Sequence, residues 1–168
     1  GMEYLGTVLH ADGSQSHEIN RRIGAAKADF LCLSKVWSHS ACTWPKKLRI
    51  YSALIESKLL YSLSSMCLTV AETRRLDGFQ NRCIRKIVGI KPSFISRMSN
   101  SAVLEKAKQP AASIILQKRQ LQLFGKILRS PENHPLRLAS FVPGAWYMPA
   151  TDRYVRRQGR PCKEWVPE

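Results

Sequence analysis

Carboxylates are scarce in this chain. Against 27 lysines and arginines stand 12 aspartates and glutamates in 168 residues, a formal net charge of +15. Four of the twelve are aspartates (Asp12, Asp29, Asp77 and Asp152), set on separate segments with no adjacent pair. Two-metal phosphoryl chemistry needs clustered carboxylates to hold its cations in line with the attacking group. This stretch is therefore expected to catalyse nothing alone, and no cofactor is expected. Zinc is excluded on similar grounds. The five cysteines (Cys32, Cys42, Cys67, Cys83, Cys162) form no C-x-x-C, and His10, His17, His39 and His134 have no ligand-like spacing. An odd, dispersed cysteine set suits free thiols in a reducing, intracellular setting. No apolar run reaches the ~18 residues of a membrane span. No helical pattern pairs a clean apolar face with an all-basic one, so a membrane surface is not the expected partner.

What is abundant is positive charge on a chain able to fold. Hydrophobic residues make up 44% of it, enough for a packed core. The isoelectric point is near 10.1, and a surplus this large on a small body calls for a polyanion, nucleic acid first.

The periodicity predicts a mainly α protein, a bundle of about four to five helices with a short N-terminal β-strand or hairpin and an extended basic C-terminal tail. Residues 1–13 form the strand and turn, 14–130 the helical part, and 131–168 the proline-rich tail. Glu3 to His10 reads as one strand, whose pairing partner is expected outside the segment or later in the chain. Ala11-Asp12-Gly13-Ser14 supplies the turn. The first helix is expected from Ser16 to Trp37, with Ile19, Ile23, Ala26, Phe30, Leu33 and Trp37 on one stripe. The second starts near Thr43, capped by its hydroxyl, with Pro45 in the first turn. One face carries Leu48, Tyr51, Ile55, Leu59 and Met66, and a second carries Ile50, Leu54 and Tyr61, which predicts a helix sandwiched between neighbours. Thr69-Val70-Ala71-Glu72 matches a capping box, and Gly89 with Pro92 ends that helix. A short helix near Ser101–Lys108 stops before Pro110. The last, from Ala111 to Arg129, sets Ile114, Leu121, Phe124 and Leu128 opposite Leu116, Leu123 and Ile127.

Placed on helical wheels, the cations gather. Arg74, Arg75, Arg82, Arg85 and Lys86 share a broad arc that excludes Glu72 and Asp77. Lys118, Arg119, Lys126 and Arg129 share a narrower one on a helix with no acidic residue between Pro110 and Pro131. Arg21 points outward from the first helix, with Arg22 and Lys27 flanking its stripe. A merely solvated surface interleaves glutamate with arginine for i,i+4 pairing; ribbons of one sign suit phosphate tracking. In the tail, Trp146, Tyr147, Tyr154 and Trp165 alternate with Arg153, Arg156, Arg157, Arg160 and Lys163. That mixture suits base stacking with backbone contact, and equally a tail docked by its tryptophans.

The order of short motifs adds a resemblance. Tyr4-Leu5-Gly6-Thr7-Val8-Leu9, Asp12-Gly13-Ser14 and Glu18-Ile19-Asn20-Arg21-Arg22-Ile23 come first, then Lys47-Leu48-Arg49-Ile50-Tyr51 and Leu59-Leu60-Tyr61. Arg75-Leu76-Asp77 and Phe79-Gln80-Asn81-Arg82-Cys83-Ile84-Arg85-Lys86-Ile87-Val88-Gly89-Ile90 follow. The series closes with Arg119-Gln120-Leu121, Phe124-Gly125-Lys126-Ile127-Leu128-Arg129 and Gly159-Arg160-Pro161 with Trp165. Together they resemble the region following the catalytic palm in reverse transcriptases of non-LTR (LINE-type) retrotransposons. The resemblance implies that residues 1–13 are the end of the palm, with Tyr4, Leu5 and Gly6 near the primer end, and that the helices are the thumb. Its partners would be an RNA/DNA hybrid or structured RNA, together with the palm and fingers of the same RNA-directed DNA polymerase, in the nucleus. The sequence departs from the family at Phe124, where a tryptophan is frequent, and at Lys126, where a histidine is common. The readings set against it are a sequence-specific helical DNA-binding domain and a basic scaffold for an acidic protein.

Overall fold

The computed structural model describes residues 2–4, 6–9, 15–142 and 145–149. The expected turn at Ala11–Ser14, Leu5, and the tail from Ala150 onward, with Arg156, Arg157, Arg160 and Trp165, lie outside the described residues. The protein is mostly helical, with a short antiparallel hairpin at its N-terminus.

Of the strand and the hairpin expected at the N-terminus, the hairpin forms. Strand β1 (Met2–Tyr4) turns back on β2 (Thr7–Leu9), pairing Met2 with Leu9 and Tyr4 with Thr7. Gly6 makes this possible at φ +72°, where other residues are strained. The strand thus finds its partner within the same short stretch.

Helix α1 (Ser16–Cys32) is shorter than its stripe predicts, and a second helix, α2 (Ser34–Ser38), follows a break at Leu33. The break lets Trp37 fold back. Its ring stacks on Phe30 at 4.9 Å, and its indole N–H donates to the Phe30 carbonyl at 2.7 Å. Two aromatic rings of the predicted stripe are buried this way. The Lys47 ammonium, itself buried, donates to the Trp37 carbonyl at the end of α2.

Helix α3 (Trp44–Ile50) runs without interruption through a π-helical turn (Tyr51–Glu56) into α4 (Ser57–Leu59). Pro45 sits in the first turn as expected, but the Thr43 hydroxyl makes no cap hydrogen bond. Leu48, Tyr51, Ile55 and Leu59 are buried as predicted, whereas Leu54 and Tyr61 are about half exposed and Ile50 half-buried. The sandwich expectation is overturned: α1 and α5 cover the Tyr51 side, and the Leu54 side meets solvent.

Helix α5 (Val70–Val88) is the spine. The Thr69 hydroxyl accepts from the Glu72 amide and the Glu72 carboxylate accepts from the Thr69 amide, completing the predicted capping box, and Gly89 closes the other end at φ +75°. Leu76, Phe79, Cys83, Ile84 and Ile87 are buried. Beyond α6 (Ser93–Ser96) and α7 (Asn100–Ala107) comes α8 (Ala112–Leu128), capped from outside its own sequence. The Gln80 side-chain carbonyl accepts from the Ala112 amide at 2.7 Å and Asp77 accepts from the Ser113 amide at 2.9 Å, so α5 satisfies two donors that a helix start leaves open.

Past Ser130 the chain keeps regular structure where an extended tail was expected. Pro135 starts α9 (Pro135–Ser140), its fixed φ suiting a first helical turn, and β3 (Phe141–Val142) pairs with β4 (Ala145–Pro149). The Arg137 guanidinium ties α9 to the carbonyls of Leu128 and Ser130 at the end of α8.

Candidate nucleic-acid interface

The few carboxylates of the helical body are mostly turned inward. Glu18 is fully buried and accepts from Arg22 at 2.6 Å, from Arg21 at 2.8 Å and from the Val8 amide at 3.0 Å. Burial pushes its pKa up, but the hydrogen bonds from Arg21, Val8 and Arg22 outweigh that and bring it to about 2. Glu72 serves the capping box and accepts from the Ser16 hydroxyl at 2.8 Å. Asp77 caps α8, Asp29 pairs with Lys58, and Glu56 is buried against Gln80. Glu3, Glu105 and Glu132 stay exposed.

This internal use of carboxylates sorts the candidate cations. Arg21 and Arg22 both donate to the Gly6 carbonyl and to Glu18, and the Arg22 guanidinium lies 4.5 Å over the Tyr61 ring. They lock the hairpin onto α1. Arg22, being buried, leaves the interface set, and Arg21 points at the hairpin where an outward position was expected. Gly6 therefore serves through its backbone carbonyl and its turn; Tyr4 holds a backbone place in β1. Arg85 is the second departure. Its guanidinium is buried and donates to the carbonyls of Lys91 and Met98, to the Ser96 hydroxyl and to Asn100. The loop after Gly89 folds back across this part of the α5 arc, which a helical wheel cannot anticipate.

Arg74, Arg75, Arg82 and Lys86 remain exposed. At ~100° per residue Arg75, Arg82 and Lys86 fall within about 40° of one another, with Arg74 further round. Helix α1 runs parallel to this row: Ser16 bonds Glu72, Arg75 donates to Asn20, and the Lys86 ammonium lies 5.9 Å from the Phe30 ring centre. That register brings exposed Lys27, on the same strip of α1 as Asn20, level with Arg82. Sequence periodicity left Lys27 at the flank of its own helix; only the parallel packing shows it to belong with the α5 cations. The ridge from Arg75 to Lys86 is about 16 Å long at 1.5 Å per residue, a length over which a duplex presents about ten phosphates.

On α8, Lys118, Lys126 and Arg129 are exposed and Arg119 is half-buried, its charge close enough to Glu56 to favour that carboxylate's ionised form. Because α8 meets α5 through Asp77 and Gln80, its cations occupy a different side of α5 from the Arg75–Lys86 row. Among the described residues, no group of three or more His, Cys, Asp and Glu side chains could hold a metal ion, and no helix is long and apolar enough to cross a membrane.

No protein-family model, curated protein or solved structure matches the chain. Its own surface chemistry therefore carries the functional reading.

Proposed function

We propose that this chain is a thumb-like module of a LINE-type reverse transcriptase, gripping a template–primer duplex by its phosphates and leaving catalysis to a palm and fingers. The observation that carries the reading is the asymmetry of charge. Glu18, Glu56, Glu72 and Asp77 are spent on caps and inward-facing hydrogen bonds, while among the described residues no carboxylate is bonded to Lys27, Arg75, Arg82 or Lys86, which stand along a ridge. Uncompensated cations spaced along parallel helices reward a rod-shaped polyanion. The order of motifs from Tyr4 to Arg129 supports the polymerase parentage and, with it, work on RNA/DNA hybrid or structured RNA in the nucleus.

The test is a salt titration of binding to a short RNA/DNA hybrid. Log affinity should fall linearly with log salt, with a slope of about −0.9 for each phosphate neutralised, and Lys27→Gln with Arg82→Gln should flatten it by about 1.8 while leaving the melting temperature unchanged. Affinity indifferent to salt, or a slope untouched by that pair, removes the ridge from the site. Strong discrimination between duplex sequences at fixed salt would favour the DNA-binding-domain alternative.

A further inference from the structure

The two apolar faces of α8 meet different fates. Ala112, Leu116 and Ile127 are buried against the bundle, but Ile114 and Leu121 are 59% and 64% exposed. Phe124 and Leu128, expected on the same face as Ile114 and Leu121, are half-buried, so the fold leaves only the Ile114–Leu121 strip without a partner among the described residues. On a helical wheel Ile114, Leu121 and Gly125 lie within about 40° of one another, with Lys118, Gln122 and Arg129 alongside. These residues line one shallow surface groove. Gly125 is its notch: a Cβ there would stand 3.1 Å from an Arg129 guanidinium nitrogen, so the missing side chain lets Arg129 fold back to the edge of the strip.

Three occupants can be weighed from this chemistry. A phosphate backbone gains nothing by covering isoleucine and leucine, and the strip lies on another side of α5 from the cationic ridge. A second copy packed α8 to α8 sets Lys118 and Arg129 against their own equivalents, with no acidic residue on the helix to relieve them. A helix that is apolar on one face and acidic on its flanks satisfies both features at once, by the helix-in-groove mode. We propose that α8 is the docking face for an acidic amphipathic helix of a partner protein. Its aliphatic side chains pack on Ile114 and Leu121 over Gly125, and its carboxylates pair with Lys118 and Arg129. This site is independent of the phosphate ridge, and both can be filled together.

Fluorescence anisotropy with the full chain tests the idea. The probe is a labelled synthetic amphipathic peptide of about 18 residues, long enough to form a helix once bound, with leucines on one face and glutamates flanking them. A second peptide has lysine in place of each glutamate, and a short RNA/DNA hybrid serves as the third ligand. The glutamate peptide should bind and the lysine peptide should not. Ile114→Ser with Leu121→Ser, both at exposed positions, should weaken that binding by about tenfold or more, as loss of central anchors does, with hybrid affinity unchanged. Lys118→Glu with Arg129→Glu should reverse the preference toward the lysine peptide, a gain that a misfolded protein cannot produce. The proposal is overturned if the glutamate peptide binds no tighter than the lysine one, if the serine pair leaves its affinity intact, or if the charge reversal leaves the preference as it was. It is equally overturned if the serine pair weakens hybrid binding, which assigns the face to nucleic acid.

Discussion

Removing the charge of Glu18 should cost this fold more than removing that of any exposed carboxylate, and the cost should depend on pH in a defined direction. The carboxylate is fully buried, binds Arg21, Arg22 and the Val8 amide, and has its pKa lowered from 4.5 to about 2. A depressed carboxylate pKa stabilises the folded state above the unfolded pKa, and that stability is lost as pH falls through the folded one. The difference of about 2.5 pKa units corresponds to roughly 3 kcal/mol at neutral pH. Linkage leaves somewhat less than half of it at about pH 3 and almost none below about pH 1.5. Glu18→Gln keeps the volume but leaves buried Arg22 without its counter-ion, so the predicted loss is about 3 kcal/mol at pH 7. Urea unfolding of both proteins at pH 7, 5 and 3 measures it. The stability gap should be widest at pH 7 and shrink to somewhat less than half by pH 3. A gap under about 0.5 kcal/mol at neutral pH, or one that does not narrow on acidification, would refute this account of how the hairpin is held.

Glu56 should behave in the opposite sense. Burial raises its pKa, against the opposing effects of Ser52, Arg119 and Gln80, so ionisation works against folding and Glu56→Gln should raise the urea midpoint at pH 7 to 8 while changing little at pH 4. Arg85→Met leaves four acceptors around Lys91, Ser96, Met98 and Asn100 without their donor. It should cost about 2–4 kcal/mol in chemical denaturation, and the salt slope for hybrid binding should not change, which separates Arg85 from the ridge. Thr69→Ala breaks the capping box and should lower stability by about 1 kcal/mol; a full-strength variant would mean that tertiary contacts alone hold the start of α5. Cys83 is buried, with a thiol pKa pushed up to about 12 by burial against the pull of Arg82 and Lys86. Alkylation followed by mass spectrometry should therefore modify exposed Cys32 well before Cys83.

Local rules carried much of the architecture. The helical class, the capping box at Thr69 and Glu72, the stop at Gly89 and the buried stripe of α5 all depend on residues within a few positions of one another, which is why they were legible in the chain. The same locality explains the expectations that did not hold. A strand at Glu3–His10 was visible, but the turn at Gly6 was not. The stripe from Ile19 to Trp37 was real, yet it did not reveal that Trp37 binds back to the Phe30 carbonyl across a break. Apolar spacing on the second helix and on α8 could not tell a face that finds a partner from one that meets solvent.

Electrostatics divides in the same way. The amino-acid sequence alone determined the sign and size of the surplus charge and which helices carry it, because composition and periodicity are properties of the chain. Tertiary structure decided which cations are free. Arg22 and Arg85 face acceptors brought in by the hairpin and by the loop after Gly89, while Lys27 joins Arg75, Arg82 and Lys86 through the parallel packing of α1 on α5. A guanidinium is committed or available according to what lies within hydrogen-bonding reach in space, and that neighbourhood exists only once the helices have packed.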